Sequence, residues 1–421
     1  MRTKSIARRV LMSLRQHGSR GFLSLLGFAF VVEGALYSAV TPILPLLSRR
    51  FSMSDTRAGL MLSSYSAGIV VGALLCVVTL RYVNARGVAV GALAVLGVST
   101  VVFAWAHTFE AAFAARLIQG IAGGATWTAC TAWLLRLWPI DKRGEALGLA
   151  MGPAIVGAVA GPAIGTIAID LGIGGPYTAV AALCLGAACW LLRMPPPTAL
   201  GGTVQTKHGT VASRRALALL GVAMTVITGA LVGLINLAGP AVLVSVSSVE
   251  RAGGVVFVIA ALTTVIAARP LGVLVDRWGA TRTASLGMLI TAIGLPVFGV
   301  GLGTYLTGAL VVLIVVATNI CYISSGALLT GEGERLGWSL HFLTALTATV
   351  WGIGETAGGV VAGIGLDRIG TEWTSAAGGL LAAAMLGGII VVSRCVVAAN
   401  TNVLSPEVSC PAEEDCAEQL D

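Results

Sequence analysis

Apolar runs long enough to cross a bilayer recur twelve times in this 421-residue chain, and nothing else in the sequence restricts the fold as much. The runs lie at about 22–47, 57–80, 88–106, 109–135, 145–170, 176–193, 217–246, 252–275, 282–302, 305–329, 338–366 and 373–398. A helix needs about 20 residues to cross the hydrocarbon. With no water there to satisfy the backbone, only α-helices and closed barrels can span it, and runs of this length suit helices. The expected fold class is an all-α membrane protein with twelve transmembrane helices, called spans 1–12 here. Most connections are tight, so successive spans run antiparallel. Composition agrees: 11% of residues are charged, against roughly a quarter in a soluble domain.

One connection differs from the rest. Residues 194–216 are rich in Pro, Gly and polar groups and divide the spans six and six, as a linker would. The expected organisation is a basic arm (1–21), a first six-helix bundle (22–193), a cytoplasmic linker (194–216), a second bundle (217–399) and an acidic, disordered tail (400–421). The apolar run after the basic arm is too long for a signal-peptide core, so span 1 is expected to stay in the mature protein.

The net charge of +7 raises the question of nucleic acid. The cations, however, cluster between apolar runs, where they orient a membrane protein. With both termini cytoplasmic, twenty of the 26 Lys and Arg residues fall inside and five outside, with Arg116 inside a span. That distribution fits an integral, multi-pass protein of the cell membrane, in contact with lipid and not with nucleic acid. Arg49 and Arg50, at the outer end of span 1, run against the rule. The eight cysteines form no CxxC pair, so neither a disulfide nor a metal site is expected. No phosphate-binding glycine loop, catalytic triad or metal cluster occurs, so the expectation is no enzyme, no catalytic residues and no cofactor.

The two halves resemble each other. Gly157-Ala-Val-Ala-Gly161-Pro162 in span 5 is followed by Asp170, and Gly354-Glu-Thr-Ala-Gly358-Gly359 in span 11 by Asp367. The acid stands thirteen residues after the first glycine both times. Spans 2 and 8 open alike, on Arg57-Ala-Gly59 and Arg251-Ala-Gly253. Paired halves of this kind are the mark of transporter repeats.

Between spans 8 and 9 the chain reads Gly272-Val-Leu274-Val-Asp276-Arg277-Trp-Gly279-Ala-Thr-Arg282, which resembles the GxLxDRxGxxR loop of the major facilitator superfamily. The resemblance implies two pseudo-symmetric six-helix bundles that rock about a central site. It also implies that Asp276 sits at the positive start of span 5 in one state. The first-half copy is eroded, with Tyr82 where the family has an acid. Gly157-Ala-Val-Ala-Gly161-Pro162-Ala-Ile-Gly165 resembles the element of the antiporter branch; the glycines allow close helix packing, and Pro162 favours a bend. Together, Gly157, Gly161, Pro162, Gly272, Asp276, Arg277 and Gly279 are the expected gating residues. Arg116-Leu-Ile-Gln119-Gly120 resembles the family's RxxQG element, with Arg116 serving either proton transfer or structure.

Glu33, nine residues before Pro42-Ile-Leu-Pro45, resembles span 1 of drug:proton antiporters, and vesicular amine carriers have an acid at a similar place. Glu33 and Glu355 are the carboxylates nearest the middle of a span. A carboxyl in a low-dielectric cavity can exchange a proton or attract a cation; the plainer alternative is an acid hydrogen-bonded within the bundle. The proton-coupling candidates are therefore Glu33, Glu355 and Arg116. Candidates to meet a substrate between spans 1, 4, 7 and 10 are Glu33, Tyr37, Tyr65, Trp127, Asn236, Asn319 and Tyr322, with the aromatics offering cation–π contacts. The resemblance implies a proton-coupled exporter of a small amphipathic organic molecule, with protons as co-substrate. A metabolite importer, or a receptor or scaffold that transports nothing, are the alternatives.

Overall fold

In the computed structural model, residues 19–137, 143–193, 211–247, 251–338 and 340–404 are described, and among them all regular structure is helical. Span 1 is broken into α1 (Ser19–Ser38) and α2 (Val40–Arg50). The first half continues through α3 (Asp55–Thr79), α4 (Ala85–Ala104), α5 (Phe109–Leu137), α6 (Arg143–Leu171) and α7 (Gly174–Leu191). The second half comprises α8 (Val211–Ser247), α9 (Arg251–Trp278), α10 (Ala280–Gly299), α11 (Thr304–Arg335) and α12 (Leu340–Leu404). Helix α8 thus begins at Val211, inside the stretch read as linker; residues 194–210, the arm before Ser19 and the tail after Leu404 lie outside the described residues.

Among the described residues, nine helices are long and apolar enough to cross a membrane, or ten if the bent pair within α9 is one span. The expectation of twelve differs for two physical reasons. The 54-residue stretch Ala345–Ala398 passes as one span, but α12 breaks at Gly370, whose φ of 78° is left-handed. A Cβ on Gly365 would lie 2.7 Å from the Thr374 hydroxyl, nine residues on. A continuous helix would separate those positions by about 13 Å, so the chain folds back, and α12 is two antiparallel helices, 340–369 and 371–404. Helix α5, at 29 residues, is long enough to cross but carries Glu110, Arg116 and Gln119, which dilute its apolar character.

The repeat seen in sequence is a repeat in packing. In the first half α1 lies against α6: a methyl group on Gly157 or Gly161 would overlap the carbonyl of Val31 or Ala35. In the second half α8 lies against 340–369, and a methyl on Gly354 or Gly358 would overlap the carbonyl of Val226 or Ala230. Lipid supplies no hydrophobic drive between helices, so this backbone-to-backbone approach gives the dispersion contact that holds each pair.

The halves meet along two seams. Helix α3 packs on 340–369 from Asp55 and Gly363 at one end to Val70 and Gly352. At the same end, remote from the chain termini, a Cβ on Gly254 of α9 would lie 3.2 Å from Thr166 Cβ of α6. Arg50, at odds with the charge rule, donates to the Ala106 carbonyl at 2.8 Å, so it serves a helix end.

The loop between α9 and α10 is one residue, Gly279, at φ 86°. Asp276 and Arg277 are exposed there, and a Cβ on Gly272 would meet nothing within 4 Å. The side chains around Arg143, where Asp276 was expected to dock, lie outside the described residues.

Candidate functional site

A cavity of about 290 Å³ lies between the halves. Its wall comes from α1 (Glu33, Tyr37), α2 (Thr41), α6 (Ala158, Pro162), α8 (Asn236), α9 (Phe257, Thr264), α11 (Asn319, Tyr322) and, from α12, Trp351. Spans 1, 7 and 10 contribute as the sequence led one to expect. Span 4 does not, and spans 5, 8 and 11 take its place.

That difference removes two candidates from the wall. Trp127, on α5, instead packs edge-on against Phe30 with ring centroids 4.9 Å apart. Tyr65, on α3, is buried behind α1, where its hydroxyl donates a long bond of 3.4 Å to Glu33 Oε1. Tyr65 therefore stands behind the acid and not on the wall. Glu33, Tyr37, Asn236, Asn319 and Tyr322 do line the cavity. Sequence reasoning missed Trp351, which crosses Tyr322 edge-on at 4.6 Å, along with Phe257 and Thr264. A lone tryptophan in an apolar span gives no signal of which face it occupies.

The two acids hold different places. Glu33 is 8% exposed and on the wall; Glu355 is 2% exposed and set back from it. Glu355 Oε1 accepts from the Tyr37 hydroxyl and Oε2 from the Ser66 hydroxyl. The carboxyl thus belongs to the second half and both donors to the first. Tyr37 stands between cavity and acid, and its ring lies 5.8 Å from that of Tyr65.

Arg116 is fully buried and takes no part in the wall. Its guanidinium donates to the carbonyls of Leu36 at 2.8 Å and Tyr37 at 2.9 Å, and to Gln119 Oε1 at 3.0 Å. Gln119 in turn donates to Thr100 at 3.1 Å. Those carbonyls lie where span 1 breaks between α1 and α2. Pro42 has no N–H to offer Ser38, so one helical bond is missing there, while Ala39 keeps helical φ and ψ of −66° and −23° and still donates to Ala35. Arg116 therefore clamps the break, and its ring contact with Tyr65, 4.3 Å to the centroid, spreads the charge over an aromatic face. No ion pair joins Arg116 to either acid among the described residues. Of the two roles left open by the sequence, this geometry is that of the structural one.

Residues 26–332 match the Major Facilitator Superfamily. The chain is 25% identical to the synaptic vesicular amine transporter of Bos taurus over 205 residues, 48% of this chain and 40% of that one. It is 26% identical to a chloramphenicol resistance protein of Streptomyces lividans over 175 residues, 41% of this chain and 45% of that one. Each alignment spans less than half the length of the relative. Among solved structures, a POT family transporter in complex with a thioalcohol-conjugated peptide superposes with TM-score 0.70 at 13% identity, covering 90% of this chain and 96% of that one. An inward-facing, occupied bacterial homologue of the lysosomal transporter Spinster gives TM-score 0.67 at 16% identity, covering 88% and 96%. At such identities the likeness is one of fold.

Proposed function

From the premise that this chain belongs to the major facilitator superfamily, and is an integral membrane transporter of small molecules, we propose that it is a proton-coupled exporter. Its substrate is a small amphipathic organic cation, and its mechanism is alternating access. One observation carries the reading. The cavity wall holds a single carboxylate, Glu33, among Tyr37, Phe257, Tyr322 and Trp351, and no lysine or arginine among its described residues. The nearby cation, Arg116, is spent on backbone carbonyls. A site of this kind attracts positive charge, offers aromatic faces to it and repels anions. The relatives agree in kind, one being an amine transporter and another a resistance protein.

In the mechanism, Glu33 binds either the substrate cation or a proton. Glu355, bonded across the halves through Tyr37 and Ser66, senses which, because Tyr37 touches both the cavity and that acid. With both termini cytoplasmic, as the cation distribution favours, a seam closed at the remote end supports an inward-facing state of a plasma-membrane protein. The two rocking bodies are α1–α7, from Ser19, and α8–α12, from Val211.

The test is Glu33→Gln in reconstituted liposomes with an imposed pH gradient and a fluorescent cationic substrate. The expected result is loss of gradient-driven accumulation, with downhill exchange of substrate retained at a raised KM. Full accumulation by the Gln variant would remove Glu33 from coupling and leave Glu355. The sign of the pH gradient that drives flux distinguishes export from import.

A further inference from the structure

At the end of the molecule remote from the termini, one carboxylate bonds across from one half to the other. Asp367 lies three residues before the fold-back at Gly370, in the second half. Its Oδ1 accepts the backbone N–H of Asp55 at 2.9 Å, and its Oδ2 the backbone N–H of Thr56 at 2.8 Å. The Thr56 hydroxyl also donates to Oδ2. Asp55 and Thr56 are the first residues of α3, in the first half. The first N–H groups of a helix have no partner within it, and the same end carries the positive pole of its dipole. Ser54, the residue that caps α3 from its own half, accepts from the Arg57 N–H at 3.3 Å, and its side chain also bonds Asp367. The rest of the cap is thus supplied by the opposite half.

We propose that Asp367 is a conformational latch: by capping α3 from across the domain boundary, it holds the remote end shut and biases the carrier toward the state open at the termini. Asp367 is itself exposed, so parting the halves there costs these hydrogen bonds and the helix-end charge interaction, with little change in burial. Directly below, Gly363 and Gly59 bring the same two helices into backbone contact, so the latch sits at the rim of a dry seam. The chain repeat adds Asp170, thirteen residues after Gly157 as Asp367 is after Gly354. The segment facing it by symmetry, 248–250, lies outside the described residues, so the latch is argued for Asp367 alone. The inference uses the two-half architecture and not the substrate or its coupling, and its test measures no transport.

The experiment uses the full chain in lipid nanodiscs, as wild type, Asp367→Asn and Asp367→Ala, with two readouts. Hydrogen exchange at Asp55 and Thr56 reports the bonds themselves. Oxidative cross-linking of the pair Thr166→Cys and Gly254→Cys, read as the linked peptides by mass spectrometry, reports closure at the other seam, which Asp367 does not touch. Asp367→Ala should speed exchange at Asp55 and Thr56 and slow cross-linking by about fivefold, the worth of one helix cap. Asp367→Asn, which keeps one acceptor oxygen, should fall between. Unchanged exchange would overturn the proposal; so would faster exchange with unchanged cross-linking, which would reduce Asp367 to a local cap. Should Asp367→Ala lose its melting transition, Thr56→Val removes one of the donors to the carboxylate and should slow cross-linking by about twofold, half a cap's worth or less. No slowing there would equally sink the latch.

Discussion

The pair α1 with α6 and the pair α8 with 340–369 are the same object built twice, until one asks where the charge is. Gly157 and Gly161 press on Val31 and Ala35 as Gly354 and Gly358 press on Val226 and Ala230. By that registration the counterpart of Glu33 is Thr228 and the counterpart of Glu355 is Ala158. The first half carries its acid on the first helix of the pair, the second half on the other. Backbone packing has kept the symmetry, and polar chemistry has departed from it. The departure puts one acid on the cavity wall and the other against the opposite half, which a symmetric placement could not do.

The most severe test of this comparison is steric. Gly157→Val and Gly354→Val should each force a pair apart at a cost at or above about 3 kcal/mol, read as loss of monodisperse protein on size exclusion. If one half tolerates the change and the other does not, the packing equivalence is broken. A smaller effect is expected where the symmetry has lapsed. Tyr37→Phe removes a donor from Glu355 and should lower stability by about 1–3 kcal/mol, seen as a lower Tm, with Ser66→Ala acting in the same direction. An unchanged Tm in both would mean that the two halves are not joined through Glu355. The smallest belongs to Thr228, whose buried hydroxyl has no hydrogen-bond partner. Thr228→Val, which exchanges an unpaired buried hydroxyl for a methyl, should leave transport unchanged and hold or raise Tm. A large loss would give that hydroxyl a task and bring the helices closer to functional symmetry.

The sequence displayed the spans, the division into halves, the glycine repeat and both mid-span acids, because membrane length, loop composition and charge are written linearly. It did not display the cavity wall. A span that is apolar on every side has no strong amphipathic period, so Trp127 and Trp351 look alike until packing turns one toward Phe30 and the other toward Tyr322. The break in span 1 was foreshadowed by Pro42, but its clamp was not, since nothing local ties Arg116 to Leu36 eighty residues earlier. The fold-back at Gly370 was legible too: Asp367, Arg368 and Glu372 leave a polar gap between spans 11 and 12, although the turn itself is a single residue.

Those one-residue turns also restrict the kind of motion available. A single residue spans at most about 3.6 Å, less than the 5.4 Å rise of one helical turn. Helices α9 and α10, joined by Gly279, cannot slip past each other by a turn, and neither can 340–369 and 371–404, joined by Gly370. Each hairpin moves as one lever pinned at its tip, so whatever opens the far end must arrive as a tilt of paired helices and not as a ratchet of one along another.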